Sequence, residues 1–208
     1  GPGTVVDRPA FERDLVDLAL ARDIRRVAGP VKTISRDGDG WRLVAEGGTE
    51  RAGFVIDASG RAAVLARDQA RRFRADQLAA LVVFMDQNPA SNVTPTRATL
   101  VEAVADGWWY ASLLADGRLA VNYYTDPDLM PGDVTREPEV FRALIAETLY
   151  IGEWISDAEF RLERTPRLVS AGTTWLAPAA GAGWAAVGDA AVAFDPLSSH
   201  GMTTAHWT

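Results

Sequence analysis

The sequence predicts a mixed α/β (α+β) fold in which an antiparallel β-sheet is inserted between two halves of one α/β layer. Three observations predict it. Short apolar, strand-like runs separated by Asp-Gly signals fill the middle of the chain. Segments with helical apolar spacing flank that stretch. Two apolar strands that end in small-residue turns, VIDASG at 55–60 and AAVGDAA at 185–191, lie on either side of it, and strand ends of this kind are where α/β folds place ligands.

The elements follow in order. Gly1-Pro2 looks like a protease-cleavage scar, and TVV at 4–6 reads as a short strand running into a helix. Asp7 is a candidate N-cap, with Pro9 in the first turn where its missing N–H costs nothing; Phe11, Leu15, Leu18 and Ala19 share one face. VKTIS, WRLVAE and ERAGFVIDASG are strand candidates, joined by turns at Asp37–Gly40 and at Gly47-Gly48. Arg67, Arg71, Arg72 and Arg74 read as the solvated face of a helix, with a docking surface for a phosphate or an acidic partner as the alternative. LAALVVFMD, TRATLVEAV, GWWYASLL and RLAVNYYTD form an antiparallel meander, with turns at Asp106-Gly107 and Asp116-Gly117. One helix is expected over 136–155, carrying Val140, Leu144, Ile145 and Leu149 on one face and Pro138 in its first turn. The segment 161–178 returns to strand or coil. The last 26 residues give a buried strand, a tight turn, a proline loop and the start of a helix.

Composition narrows the chemistry. With 208 residues, 48% hydrophobic and 24% charged, the chain has enough apolar material for a core. Zero cysteines exclude disulfides, thiolate metal sites and a cysteine nucleophile, and His200 and His206 are too few for a histidine-rich zinc site. No metal site is expected. The net charge of −7 argues against nucleic acid as a partner. No apolar run reaches the ~20 residues that span a bilayer, and no signal-peptide core opens the chain, so a cytoplasmic location is expected.

Two segments resemble the second and third fingerprints of FAD-dependent oxidoreductases of the aromatic-hydroxylase type, a group that includes flavin halogenases and geranylgeranyl-reductase-like enzymes. Phe54–Gly60 with Arg61 is similar to the strand-end ADG/ATGR motif; Val187–Ala191 followed by Asp195–Met202 is similar to the GD motif and its proline loop. Asp7–Phe11 resembles the helix start that lies between the first two fingerprints. The likeness runs through essentially all of the chain. It implies a partial FAD/NAD(P)-binding hydroxylase-type fold: 1–75 belong to the FAD-binding domain, 76–165 form a β-sheet substrate-binding domain with one helix, and 166–208 return to the FAD-binding domain.

By that resemblance Arg8, Asp57, Gly60, Gly188, Asp189, Pro196, Ser199, Gly201 and Met202 bind FAD, and His200 is the catalytic candidate. Asp189 would accept a hydrogen bond from a ribityl hydroxyl, and Gly201 would let backbone approach the ring. Phe84, Trp108, Tyr110 and Tyr123 would wall the substrate pocket. The implied activity is monooxygenation of an aromatic or specialised-metabolite substrate, with peptidyl tryptophan among the candidates. NAD(P)H or supplied reduced flavin would be the reductant, and NADPH phosphate is one ligand the arginine stretch would suit. The alternatives are a flavin halogenase, an isoprenoid double-bond reductase, and a shortened, non-catalytic binding fragment. Trp108-Trp109-Tyr110 departs in spacing from the halogenases' W-x-W-x-I-P segment and lacks its Ile-Pro. No GxGxxG motif precedes Arg8 and the chain stops at Thr208, so a complementary flavoprotein segment or self-association is the expected cover for its apolar surface.

Overall fold

The computed structural model describes residues 7–207; the expected TVV strand and the Gly1-Pro2 lead lie outside them. The chain runs α1 (Arg8–Leu20), a three-stranded β1 (Val31–Asp37), β2 (Gly40–Ala45) and β3 (Gly48–Ala52), then β4 (Val55–Asp57), a short α2 (Ala66–Gln69) and β5 (Arg71–Arg74). β6 (Ala79–Gln87), β7 (Thr99–Val104), β8 (Gly107–Leu113) and β9 (Leu119–Thr125) follow, then α3 (Pro138–Ala146) and α4 (Tyr150–Asp157). The last part holds β10 (Phe160–Arg161), β11 (Arg167–Ser170), β12 (Thr174–Ala177), β13 (Ala180–Gly181), β14 (Trp184–Ala186), β15 (Val192–Ala193) and α5 (Gly201–Trp207). Two compact units result: one holds the start of α1 with Gln77–Ala171, the other Glu12–Asp76 with the segment from Gly172 onward.

The first unit is one sheet with two helices on one face. Its strand order is β10-β6-β9-β8-β7, with β11 also on β6. The expected meander therefore covers β7, β8 and β9, while β6 pairs with β9 rather than with β7. The reason lies in the linker: 88–98 carries Pro89 and Pro95 and no two-residue turn signal, so β6 and β7 have no hairpin to register them. Between β7 and β8 the turn is Ala105-Asp106, and Gly107 already belongs to the strand. A Cβ on Gly107 would sit 2.1 Å from the Tyr124 carbonyl oxygen, so glycine is required there by close backbone approach. Asp116-Gly117 turns as expected, with Gly117 at φ +87°.

Alternation along the strands sends Leu81, Val83, Met85, Trp109, Ala111, Leu119, Val121 and Tyr123 into the core beneath the helices, with Phe141, Ile145, Ile151 and Ile155. The single helix expected over 136–155 is two. Thr148 breaks it: its hydroxyl donates to the Ile145 carbonyl (2.6 Å) and accepts from Gly152 N–H (2.8 Å), taking the place of helical backbone bonds. The new N-terminus is capped from β7, because the Glu102 carboxylate accepts N–H bonds from Leu149, Tyr150 (3.1 Å) and Ile151 (3.0 Å).

In the second unit β1–β3 form an antiparallel ribbon, β15-β12-β5 a second small sheet, and β13-β14-β4 a third. Trp41, Leu65, Leu176, Trp184, Ala186 and Ala190 make its core. Trp41 donates its indole N–H to the Gly183 carbonyl (2.7 Å), and Arg36 lies over the Trp41 ring while donating to Ala182 O (2.6 Å); these tie the ribbon to the start of β14. The arginine stretch is not a helix face. Arg67 lies in α2, and Arg71, Arg72 and Arg74 lie in β5, where pairing to β12 overrides helix propensity. In α1, Asp7 caps the helix through Ala10 N–H (3.1 Å) as expected, but the Phe11, Leu15 and Leu18 stripe is exposed.

Replacing Glu102 by Ala leaves the N–H groups of α4 uncapped. A loss of about 1–2 kcal/mol is expected, measured as a lower urea midpoint, with α4 losing amide-exchange protection first.

Candidate functional site

β4 and β14 pair in parallel, Val55 with Trp184, Ile56 with Ala185 and Asp57 with Ala186. A parallel ladder ends both strands at the same edge, so the turns after Asp57 and after Ala186 emerge side by side. Val187 N–H donates to Asp57 O (3.0 Å) and extends the pairing to the first residue of the second turn.

The first turn is organised by a buried carboxylate. Asp57, 5% exposed, accepts from Ser59 N–H (3.0 Å), the Ser59 hydroxyl (2.6 Å), Leu65 N–H (2.8 Å) and Ala66 N–H (2.8 Å). Ser59 Oγ in turn accepts from Val64 N–H (2.8 Å). Burial opposes ionisation of Asp57, but the bonds from Ser59, Ala66 and Leu65 outweigh it, and its carboxyl is held below the usual value. All of these bonds are internal, so Asp57 shapes the turn and caps α2. The expected cofactor-binding Asp57 is thus placed inside the turn, with its carboxylate bonded to the turn's own donors. Gly60 then turns through φ +65°, with nothing within 4 Å of where a Cβ would stand.

Arg61 links this turn to the proline loop. Its guanidinium donates to the carbonyls of Gly172 (2.5 Å) and Phe194 (3.0 Å), the latter immediately before Asp195. Asp195 N–H is held by the Thr173 hydroxyl (3.2 Å), and its carboxylate accepts Leu197 N–H (2.8 Å), capping a 3-10 turn at Pro196–Ser198. Ser199 has φ +54°, and α5 begins two residues later at an exposed Gly201, whose Cβ position is also open. Gly188, at φ +54°, opens a 3-10 turn against which α5 packs; a Cβ there would lie 3.4 Å from Ala205 Cβ. Within that turn Asp189 is half-buried, and its carboxylate has no hydrogen-bond partner among the described residues.

The structure therefore brings Gly60, Gly188, Asp189 and Pro196 to one edge of the second unit, with Ser199, His200, Gly201 and Met202 on the loop that follows. His200 is exposed, and no carboxylate orients its ring among the described residues. Arg8 opens α1.

Of the four candidate substrate-wall residues, the first unit carries Phe84, Trp108 and Tyr110 on the face opposite the helices and Tyr123 on the helix side. Tyr123 points into the helix-side core at 3% exposure and gives its hydroxyl to Asp106 O (3.2 Å); burial pushes its phenol up. Its neighbours Asn122 and Tyr124 take the open face instead. Trp108 stacks on Tyr124 at 3.9 Å and 11°, and Arg118 lies 5.1 Å from the Phe84 ring centre. Adjacent strand residues alternate faces, so choosing between Tyr123 and Tyr124 needs the register of β9, which pairing with β6 and β8 supplies.

No family model matches the chain. It is 30% identical over 152 residues, 72% of its length, to LodB of Marinomonas mediterranea, a protein assigned by inference as a FAD-dependent oxidoreductase. Among solved structures it is 29% identical to the peptidyl tryptophan dihydroxylase QhpG, essential for tryptophylquinone cofactor biogenesis, with a TM-score of 0.78 over 96% of the chain. The myxobacterial chondrochloren halogenase CndH, 22% identical, shares the fold with a TM-score of 0.80 over 97% of the chain. The chain spans 40% of LodB, 44% of QhpG and 49% of CndH. In sequence and in fold it thus matches part of the FAD-dependent hydroxylase-type flavoproteins, as the motifs implied. Among the described residues no helix is long and apolar enough to cross a membrane.

Replacing Asp57 by Asn removes an acceptor oxygen and turns an NH2 toward backbone donors. A loss of about 2–3 kcal/mol is expected at neutral pH. A carboxyl whose pKa is depressed by folding stabilises above the unfolded value and ceases to do so as pH falls through the folded one. The gap between wild type and variant in urea midpoint should hold above about pH 5 and shrink below pH 4.

Proposed function

We propose that the chain is the middle and late portion of a FAD-dependent oxidoreductase that monooxygenates an aromatic substrate. One observation carries the reading: parallel pairing and the Arg61 bridge gather both fingerprint turns at one edge, where the Asp189 carboxylate has no partner among the described residues and Gly60 and Gly201 leave open space. Those residues fit the flavin. Asp189 would accept a ribityl hydroxyl, Gly60, Gly188 and Pro196 would border the cofactor, and Ser199, Gly201 and Met202 would lie along the ring. When bound, the flavin supplies the oxidising chemistry. The chain's own task is to hold that ring, orient the substrate and exclude water.

Trp108 and Tyr110, with Phe84 on the same face and Tyr124 stacked behind Trp108, supply a flat aromatic surface suited to a planar ring. His200 is the one imidazole on the loop and is assigned to hydrogen-bonding substrate. The higher identity to a peptidyl tryptophan dihydroxylase than to the halogenase, and the absence of Ile-Pro after Tyr110, support hydroxylation of a ring carried on a peptide over halogenation. NAD(P)H or supplied reduced flavin completes the reaction, in a cytoplasmic setting.

In the full-length protein, Asp189→Ala should weaken FAD binding by at least about tenfold, the cost of losing one charged hydrogen bond, read by titration of flavin fluorescence. Retention of full affinity would remove the flavin site from this edge. Trp108→Ala should leave flavin binding intact and raise KM by about tenfold, through lost stacking area. An unchanged KM would clear the open sheet face of a substrate role.

A further inference from the structure

We propose that the exposed edge strand β5 docks an extended acidic polypeptide, added alongside it as a fourth strand of the β15-β12-β5 sheet. β5 reads Arg71-Arg72-Phe73-Arg74 and pairs on one side only, with β12. Among the described residues no backbone N–H of 71–74 is given to anything beyond β12, which leaves alternate donors and acceptors of its outer edge available to a main chain.

The charge on this strand is unmatched. The chain carries a net charge of −7, and several of its other arginines lie against carboxylates: Arg25 with Glu50, Arg51 with Asp37 (2.8 Å), Arg118 with Asp116 (2.7 Å). Arg71, Arg72 and Arg74 have no such partner among the described residues. The positions opposite them on β12 are Ala177, Leu176 and Thr174. The flanking acids in the sequence are already engaged: Asp68 lies 3.9 Å from Arg67, and Asp76 accepts Thr173 N–H (3.1 Å).

An aromatic platform shares the outward face. Phe73 stacks on Trp175 across the strand pair at 5.5 Å and 13°, Arg71 sits 4.8 Å over Phe73, and Trp175 remains 40% exposed. Edge arginines alone serve to repel stray strands. An exposed Trp–Phe stack beside them adds an adhesive surface that pure repulsion does not require. A strand reading Glu-Glu-Val-Glu laid parallel to β5, or Glu-Val-Glu-Glu laid antiparallel, would set a carboxylate opposite each arginine and an aliphatic group opposite Phe73.

The test uses the full-length protein and a fluorescent peptide of repeated Glu-Glu-Val-Glu, with a Lys-Lys-Val-Lys peptide and NADPH as comparisons. The acidic peptide should bind, and its affinity should fall as salt rises. Arg71→Glu with Arg74→Glu should weaken it by at least about tenfold and confer binding of the lysine peptide. Should that variant lose its near-UV circular dichroism, Arg71→Gln with Arg74→Gln should show the same loss of acidic-peptide binding. Equal binding of both peptides to the unaltered protein, or no change in either variant, would overturn the proposal. NADPH displacing the acidic peptide, with its own affinity reduced in the variants, would assign the strand to nucleotide phosphate instead.

Discussion

Parallel pairing of β4 with β14 sets where the candidate site residues of the second unit lie. Antiparallel pairing of the same strands would send their turns to opposite edges; the parallel ladder sends both to one. The bond from Val187 N–H to Asp57 O carries the register into the GD turn, and Arg61 carries it onward to the proline loop through the Phe194 carbonyl. Segments more than a hundred residues apart in sequence are thereby held within one small edge.

Two aspartates at the ends of these strands have opposite tasks. Asp57 spends all its acceptor capacity on Ser59, Leu65 and Ala66, so it fixes a turn and has nothing left to offer a ligand. The Asp189 carboxylate has no hydrogen-bond partner among the described residues, and it follows Gly188, whose Cβ position lies 3.4 Å from Ala205 Cβ. A carboxylate left without a donor at such a position is suited to a hydroxylated ligand. The same division separates the two faces of the β6–β9 sheet. One is filled by helices and Trp109, while the other keeps Trp108 and Tyr110 partly exposed over a buried Tyr124.

Local signals in the sequence specified most of the elements. Asp7, Asp116-Gly117 and the proline loop act through neighbours a few residues away, so their roles are visible in a linear reading. What depends on distant partners was not. The break at Thr148 needs Glu102 from β7 to satisfy the new helix end. The pairing of β6 with β9 leaves no mark in either strand. The arginines of β5 look helical until β12 is laid beside them. At the site, the GD and ASGR motifs announced their turns, but the internal consumption of Asp57 and the inward rotation of Tyr123 follow from hydrogen bonds and register alone.

Amide hydrogen exchange of the full-length protein, followed with and without added FAD, tests the account most directly. It predicts that FAD slows exchange at 57–61, 187–190 and 195–202 together, because one ligand covers turns held at one edge. Slowed exchange confined to other segments, with these three unaffected, would contradict it.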